Sequence, residues 1–168
     1  MNTAKRLLPN LITLMRAAAA VLFGLALLHY DIGVGLGLLA FAGLTDVLDG
    51  WLARRLGVCS AAGAYLDAAA DGLMVGAGFI VLVARGVYPP WVLVLLGVMF
   101  AQFVLVTRGG KPVYDPVGKY YGAALYGVLL ALLLVPDVLL SLALLAGVVG
   151  LSALSLGSRL LLAIRSAA

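Results

Sequence analysis

The sequence predicts an all-α integral membrane protein with six transmembrane helices, a short N-terminal interfacial segment, and both termini on the cytoplasmic side. Three observations lead there. Apolar side chains make up 65% of the 168 residues and charged ones 11%, whereas a soluble domain is nearer half apolar and a quarter charged. Mean hydropathy is +1.19. The apolar residues also gather into runs of about twenty, the length a helix needs to cross the hydrocarbon of a bilayer.

In chain order the runs cover residues 11–30, 32–56, 61–85, 90–107, 117–135 and 138–164. The breaks carry turn-forming or charged residues: His29-Tyr30-Asp31, residues 54–60, Tyr88-Pro89-Pro90, residues 108–116, and Pro136-Asp137. Residues 1–10 form the interfacial segment; no small-residue cleavage site follows it, so the first span is expected to stay. With no internal repeat or low-complexity linker, residues 1–168 are expected to form a single membrane domain. The one cysteine, Cys59, excludes an internal disulfide and fits a small residue in a turn. His29, Tyr120 and Tyr121 fit the interfacial belt in which aromatic and amphipathic side chains collect.

Lysine and arginine set the orientation, because cytoplasmic flanks accumulate them. With the N-terminus inside, Lys5, Arg6, Arg16, Arg54, Arg55, Arg108, Lys111, Lys119, Arg159 and Arg165 fall at or near the cytoplasmic side and Arg85 alone outside. The net charge of +4 is thereby explained by topology and anionic lipid, and no basic patch interleaved with aromatics points to nucleic acid.

Against this apolar background stands Asp46-x-x-Asp49-Gly50-x-x-Ala53-Arg54, then eight residues, then Gly63-x-x-x-Asp67-x-x-x-Asp71. A carboxylate near the centre of a membrane helix costs roughly 2.5–3.5 kcal/mol, so four in one hairpin call for a functional offset. Asp46, Asp49, Gly50 and Ala53 follow i, i+3, i+4, i+7 and share one helix face; Gly63, Asp67 and Asp71 follow i, i+4, i+8 and share another. About a turn centred near Val58 and Cys59, Asp46 and Asp71 are each about twelve residues away and Asp49 and Asp67 about nine, so antiparallel helices pair them by depth. The stripe lies roughly 8–15 Å along the helices from Arg54 and Arg55, inside the cytoplasmic leaflet. A lipid head group or a water-soluble substrate reaches such a place from the side or from below.

Four ionised carboxylates at close range repel, and protons or metal ions must relieve them. An all-oxygen set without thiolate or imidazole selects hard cations, Mg²⁺ or Mn²⁺ before Zn²⁺, and two divalent ions would balance four aspartates. Two ions close together also clamp a phosphate. Gly50 and Gly63 remove side chains where a bulky anion would approach, Ala53 keeps the next turn narrow, and Arg54 offers a planar fork to a diphosphate. Each also has a plainer role taken singly: glycine lets membrane helices pack closely, and Arg54 can be a positive-inside flank.

This pattern resembles the signature of the CDP-alcohol phosphatidyltransferases, matched at Asp46, Asp49, Gly50, Ala53, Arg54, Gly63, Asp67 and Asp71. Pro9-Asn10-Leu11-Ile12-Thr13-Leu14-Met15-Arg16 is similar to the start of the phosphatidylglycerophosphate and cardiolipin synthase members, and Gly118-Lys119 to a pair that begins their fifth span. The resemblance implies that Asp46, Asp49, Asp67 and Asp71 hold a di-metal centre, that Asp71 is also the general base, and that Gly50, Ala53, Arg54 and Gly63 line a site for the CDP moiety. It implies transfer of a phosphatidyl group from CDP-diacylglycerol to the hydroxyl of an alcohol acceptor, release of CMP, and a homodimer. A bacterial inner membrane, with the active site facing the cytoplasm, is the expected location.

A phosphatidylglycerophosphate-type product is favoured, and a phosphorylated acceptor needs cations: Arg108, Lys111, Lys119 and Arg159 are the candidates, Arg159 the most suggestive because it lies in an apolar run. Each is equally a positive-inside or snorkelling residue. The chain departs from relatives after Gly118-Lys119, continuing Tyr120-Tyr121-Gly122, and reads Asp67-Ala68-Ala69-Ala70-Asp71-Gly72 where some glycerophosphate-using members carry Pro and Lys. Inositol phosphate, serine, a lipid acceptor or a CDP-amino-alcohol donor therefore remain open. A cation or proton transporter also needs buried carboxylates, but residues 33–44 and 73–83 hold no ionisable side chain that would carry a path to the other face.

Overall fold

A computed structural model describes residues 3–56, 61–108 and 116–167, and within them the side chains of residues 11–48, 51, 55, 66–104 and 120–158. The described residues form six α-helices: α1 (Thr3–Leu28), α2 (Ile32–Leu56), α3 (Ala61–Ala84), α4 (Trp91–Arg108), α5 (Pro116–Leu134) and α6 (Val138–Ala167). Their bounds follow the apolar runs within a few residues. At the start of α1, residues 3–10, expected at the interface, are helical and continuous with the first apolar run. Pro9, which lacks an N–H and argues for a boundary, is instead carried inside that helix. The turn centred on Val58 and Cys59 lies outside the described residues.

Three helices contain stretches long and apolar enough to cross a membrane: Leu11–Leu28, Leu66–Ala84 and Val138–Ser158. Among the residues whose side chains are described, the other three helices contribute the apolar stretches Ile32–Leu48, Trp91–Val104 and Tyr120–Leu134.

The chain divides between Val81 and Leu82 into two compact units. In the first, α1 carries a buried seam of Thr13, Arg16, Ala20, Phe23 and Leu27, spaced alternately by three and four residues as one helix face requires. Ala70, Met74, Val75 and Phe79 form the buried face of α3, with Leu39 and Ala42 contributed by α2. Close approach is allowed by small residues: a Cβ at Gly24 would lie 3.4 Å from Ala77 Cβ, and one at Gly35 would fall 2.8 Å from Leu27 Cδ2. Small residues at such crossings are how membrane helices come together without a hydrophobic driving force.

A tight connection joins α1 to α2. Tyr30 takes a left-handed φ of 61°, Tyr30 N–H donates to Leu27 O and Asp31 N–H to Ala26 O, the pairing that closes a helix C-terminus. Asp31 then caps α2, its Oδ1 accepting from Val34 N–H at 3.0 Å. One residue thus ends one helix and begins the next.

In the second unit Gly86, with φ 73°, closes α3 in the same way, and Asp137 Oδ1 caps α6 at Leu140 N–H, 2.8 Å away. Tyr88 is buried and donates its hydroxyl to Ser141 O at 3.1 Å. Burial pushes the Tyr88 phenol above its ordinary pKa, so it remains a donor. On α6, Ser152 and Ser155 are buried; Ser152 Oγ donates to Val148 O at 2.7 Å and lies 2.8 Å from Tyr121 Oη, which pins α5 to α6.

Replacing Asp31 by Ala removes the α2 cap and is expected to lower unfolding free energy by about 1 kcal/mol, read by thermal unfolding in detergent. An unchanged transition would mean that the cap does not hold the hairpin.

Candidate functional site

The site is built on the first unit, where the seam of α1 meets the aspartate stripes of α2 and α3. Arg16 has no solvent exposure at all. Its Nη1 lies 3.0 Å from Asp46 Oδ1, 2.8 Å from Asp71 Oδ1 and 3.3 Å from Asp67 Oδ1. Three carboxylates on two helices therefore converge on one atom of a third helix. Three residues earlier on the same face of α1, buried Thr13 donates its hydroxyl to Asp67 Oδ1 at 3.2 Å.

The expected pairing of Asp46 with Asp71 fits these distances, while that of Asp49 with Asp67 falls on a side chain outside those described. Asp46 and Asp71, equally far from the hairpin turn, each accept a hydrogen bond from Nη1, whereas Asp67, one helical turn nearer the hairpin end, is the longer contact and accepts from Thr13 as well. The 3.6-residue period explains why: Asp67 and Asp71 are stacked on one side of α3, above the buried Met74, so the face that packs is also the face that carries charge. Thr45, next to Asp46, satisfies its own hydroxyl inside α2 by bonding Phe41 O and Ala42 O, both at 2.9 Å.

An isolated guanidinium moved into an apolar seam is costly, and pairing with hydrogen-bonded carboxylates is what makes it tolerable. The carboxylates are only partly covered: the side chains of Asp46, Asp67 and Asp71 are 50%, 33% and 34% exposed. Among the described side chains of the cluster, one cation stands against three carboxylates, a formal excess of two negative charges at a partly exposed place. The oxygen-only donor set suits a hard divalent ion. Among the described residues no group of three acidic, histidine or cysteine side chains is placed to hold a metal ion; the oxygens of Asp46, Asp67 and Asp71 converge on Nη1 of Arg16.

Of the other predicted site residues, Asp49, Gly50, Ala53 and Arg54 fall on α2 and Gly63 on α3, with their side chains outside those described. Arg55, next to Arg54, stacks its guanidinium over the Trp51 ring, 4.9 Å from the centroid, a cation–π contact of the kind found at exposed helix ends. The candidate acceptor cations belong to the second unit. Arg108 ends α4, Lys119 is in the first turn of α5 and Arg159 is eight residues before the end of α6, their side chains outside those described, and Lys111 lies outside the described residues.

Two members of the cluster are new relative to the motif. Counting Arg16 among cytoplasmic flanking charges is corrected by its position: it stands in the middle of α1, fully buried and bonded to the aspartates. Thr13 had no role beyond the N-terminal similarity. The available signal was an arginine inside an apolar run, three residues after a threonine, at the spacing of a helix face.

Carboxylates from two apolar helices, gathered around a buried cation and open on one side, define a membrane-type helical protein with an acidic, oxygen-donor site. The chain belongs to the CDP-alcohol phosphatidyltransferase family, whose model matches residues 6–154. It is 36% identical over 104 residues to a Drosophila melanogaster protein described as a probable cardiolipin synthase (CMP-forming), covering 61% of this chain and 31% of that one. It is 33% identical over 102 residues to a CDP-diacylglycerol–glycerol-3-phosphate 3-phosphatidyltransferase 1, chloroplastic, of Oryza sativa subsp. japonica, covering 61% and 30%. With the CDP-diacylglycerol–glycerol-3-phosphate 3-phosphatidyltransferase of Bacillus subtilis (strain 168) it shares 33% over 132 residues, covering 67% and 68%. The chain thus spans about a third of the length of the first two relatives and two thirds of the third.

Thr13→Val keeps the shape and removes the donor to Asp67. Because Asp67 is one-third exposed and water can replace part of the bond, the expected loss is about 1 kcal/mol, below the usual range for hydrogen bonds to charged groups. Denaturant unfolding in detergent measures it, and an unchanged midpoint would show that Thr13 does not hold Asp67.

Proposed function

We propose that this protein is a phosphatidyltransferase that moves a phosphatidyl group from CDP-diacylglycerol to an alcohol hydroxyl, with a phosphatidylglycerophosphate-type product. The observation that carries the proposal is the convergence of Asp46, Asp67 and Asp71 on one point, in a chain that matches all eight motif positions. Membership of the family and the names of the rice and Bacillus relatives support the acceptor class.

Asp46, Asp49, Asp67 and Asp71 are the residues that would hold two Mg²⁺ or Mn²⁺ ions, and the oxygen-only set and the excess negative charge fit them. When bound, such ions neutralise the diphosphate and the charge that develops on the leaving phosphate. The chain's own groups do the rest. Gly50, Ala53 and Gly63 leave room beside the stripe for the CDP moiety, and Arg54 donates to its diphosphate. The acceptor oxygen bonds to the lipid-bearing phosphorus, the phosphorus–oxygen bond to CMP breaks, and the acceptor's proton passes to the Asp71 carboxylate. Arg108, Lys111, Lys119 and Arg159 supply charge for the acceptor's own phosphate.

The helices span the membrane six times within one domain, with both termini and the carboxylate end of α2 and α3 toward the cytoplasm; with Arg16 set aside, the nine-to-one distribution of the remaining basic residues supports that orientation. A bacterial inner membrane and a homodimer complete the proposal.

Purified protein with CDP-diacylglycerol and glycerol 3-phosphate is expected to release CMP only with Mg²⁺ or Mn²⁺ present. Chelation should abolish release, and readdition should restore it. Asp67→Asn and Asp71→Asn, still folded, are expected to lose on the order of 100-fold or more in turnover. Inositol phosphate, serine and phosphatidylglycerol offered separately test the acceptor: release with one of these alone overturns the product class. Wild-type turnover by Asp67→Asn, or no release with any acceptor, overturns the chemistry.

A further inference from the structure

We propose that Arg16 is a positioning residue that acts as the site's resident cation: its guanidinium holds Asp46, Asp67 and Asp71 together before a divalent ion is bound and gives up that place when the ion arrives. The inference rests on the metal-binding role proposed above for the aspartates and adds to it a residue of α1 outside the motif.

The geometry carries the idea. Nη1 sits 2.8–3.3 Å from the Oδ1 atoms of all three aspartates. A divalent ion of magnesium size sits about 2.1 Å from each oxygen it binds. Such an ion, drawn to the same three oxygens, competes with Nη1 for them, and two cations at one cluster repel in a medium of low dielectric. Arg16 has no exposed surface, so it is committed to the carboxylates and not shared with water. Without a cation the three carboxylates would repel one another across two helices and splay the hairpin. Arg16 therefore keeps the ligands assembled, and the cost is a competitor inside the ion site.

A merely structural arginine and a resident cation predict opposite results. Removing a structural arginine lets the carboxylates drift apart and weakens ion binding. Removing a competitor lowers the stability of the ion-free protein but tightens ion binding and enlarges the rise in unfolding temperature that the ion produces.

The test compares wild type, Arg16→Lys and Arg16→Gln, each purified with Mn²⁺ present and then depleted. Mn²⁺ affinity is read from the paramagnetic resonance of free ion, and unfolding temperature is read with and without Mn²⁺. Arg16→Gln is expected to bind Mn²⁺ on the order of tenfold more tightly than wild type, with Arg16→Lys between, because lysine keeps the charge but loses the planar fork. The Mn²⁺-induced rise in unfolding temperature should follow the same order. Equal affinities across the three, or weaker binding in the variants, overturn the proposal. Where Arg16→Gln does not survive depletion, Arg16→Lys against wild type decides by the same criterion. Failure of the metal reading itself looks different, since wild type would then bind no Mn²⁺ and show no shift.

Discussion

The first unit depends on a single buried guanidinium meeting three carboxylates. Arg16 cannot occupy an apolar seam without them, and they cannot stand on adjacent helices without a cation between. The same contact thus fixes the depth of α1 against α3, joins α2 to both, and sets the position from which the aspartates would act. Small residues make it possible: Gly24 meets Ala77 where α1 crosses α3, and Gly35 leaves space for Leu27 in the α1–α2 hairpin. Thr13 adds a neutral donor on the same face, holding one oxygen of Asp67.

Stability and function pull in different directions at this place. A stripe of aspartates is a poor way to hold membrane helices together, and an apolar pair of faces would pack at less cost. The partial exposure of the three carboxylates is the compromise, since it lowers their desolvation cost and leaves them accessible to ligands. Below the site, Phe23, Met74 and Phe79 are fully buried and contain no polar atom that needs a partner. The polar chemistry is confined to one end of an otherwise apolar packing, which is what a one-sided site requires and a continuous ion path does not.

Much of this was legible in the sequence because two simple periods govern it. Runs of about twenty apolar residues located the six helices, and the 3.6-residue repeat put Asp67 with Asp71 and matched Asp46 to Asp71 by distance from the hairpin turn. The apolar run marks α1 only from residue 11, because residues 3–10 include Lys5, Arg6, Pro9 and Asn10, and hydropathy does not show that the helix extends through them. Arg16 was misread for a different reason. Positive-inside counting treats every basic residue near the cytoplasmic side alike, and it cannot tell a charge that flanks a helix from one that penetrates the packed seam. The acceptor cations share that ambiguity: Arg108 and Lys119 sit at helix ends, where topology alone would place a basic residue, and Arg159, eight residues before the end of α6, can reach the interface by snorkelling.

The central claim is that Arg16 and the aspartates act as one unit, and a double-mutant cycle between Arg16 and Asp71 in the absence of divalent ions tests it most directly. Unfolding free energies of wild type, Arg16→Gln, Asp71→Asn and the double variant give the coupling. It is predicted to exceed the roughly 1 kcal/mol ceiling of exposed ion pairs, with the double variant more stable than the sum of the single losses implies. Losses that add within about 0.5 kcal/mol, as independent sites do, would contradict it.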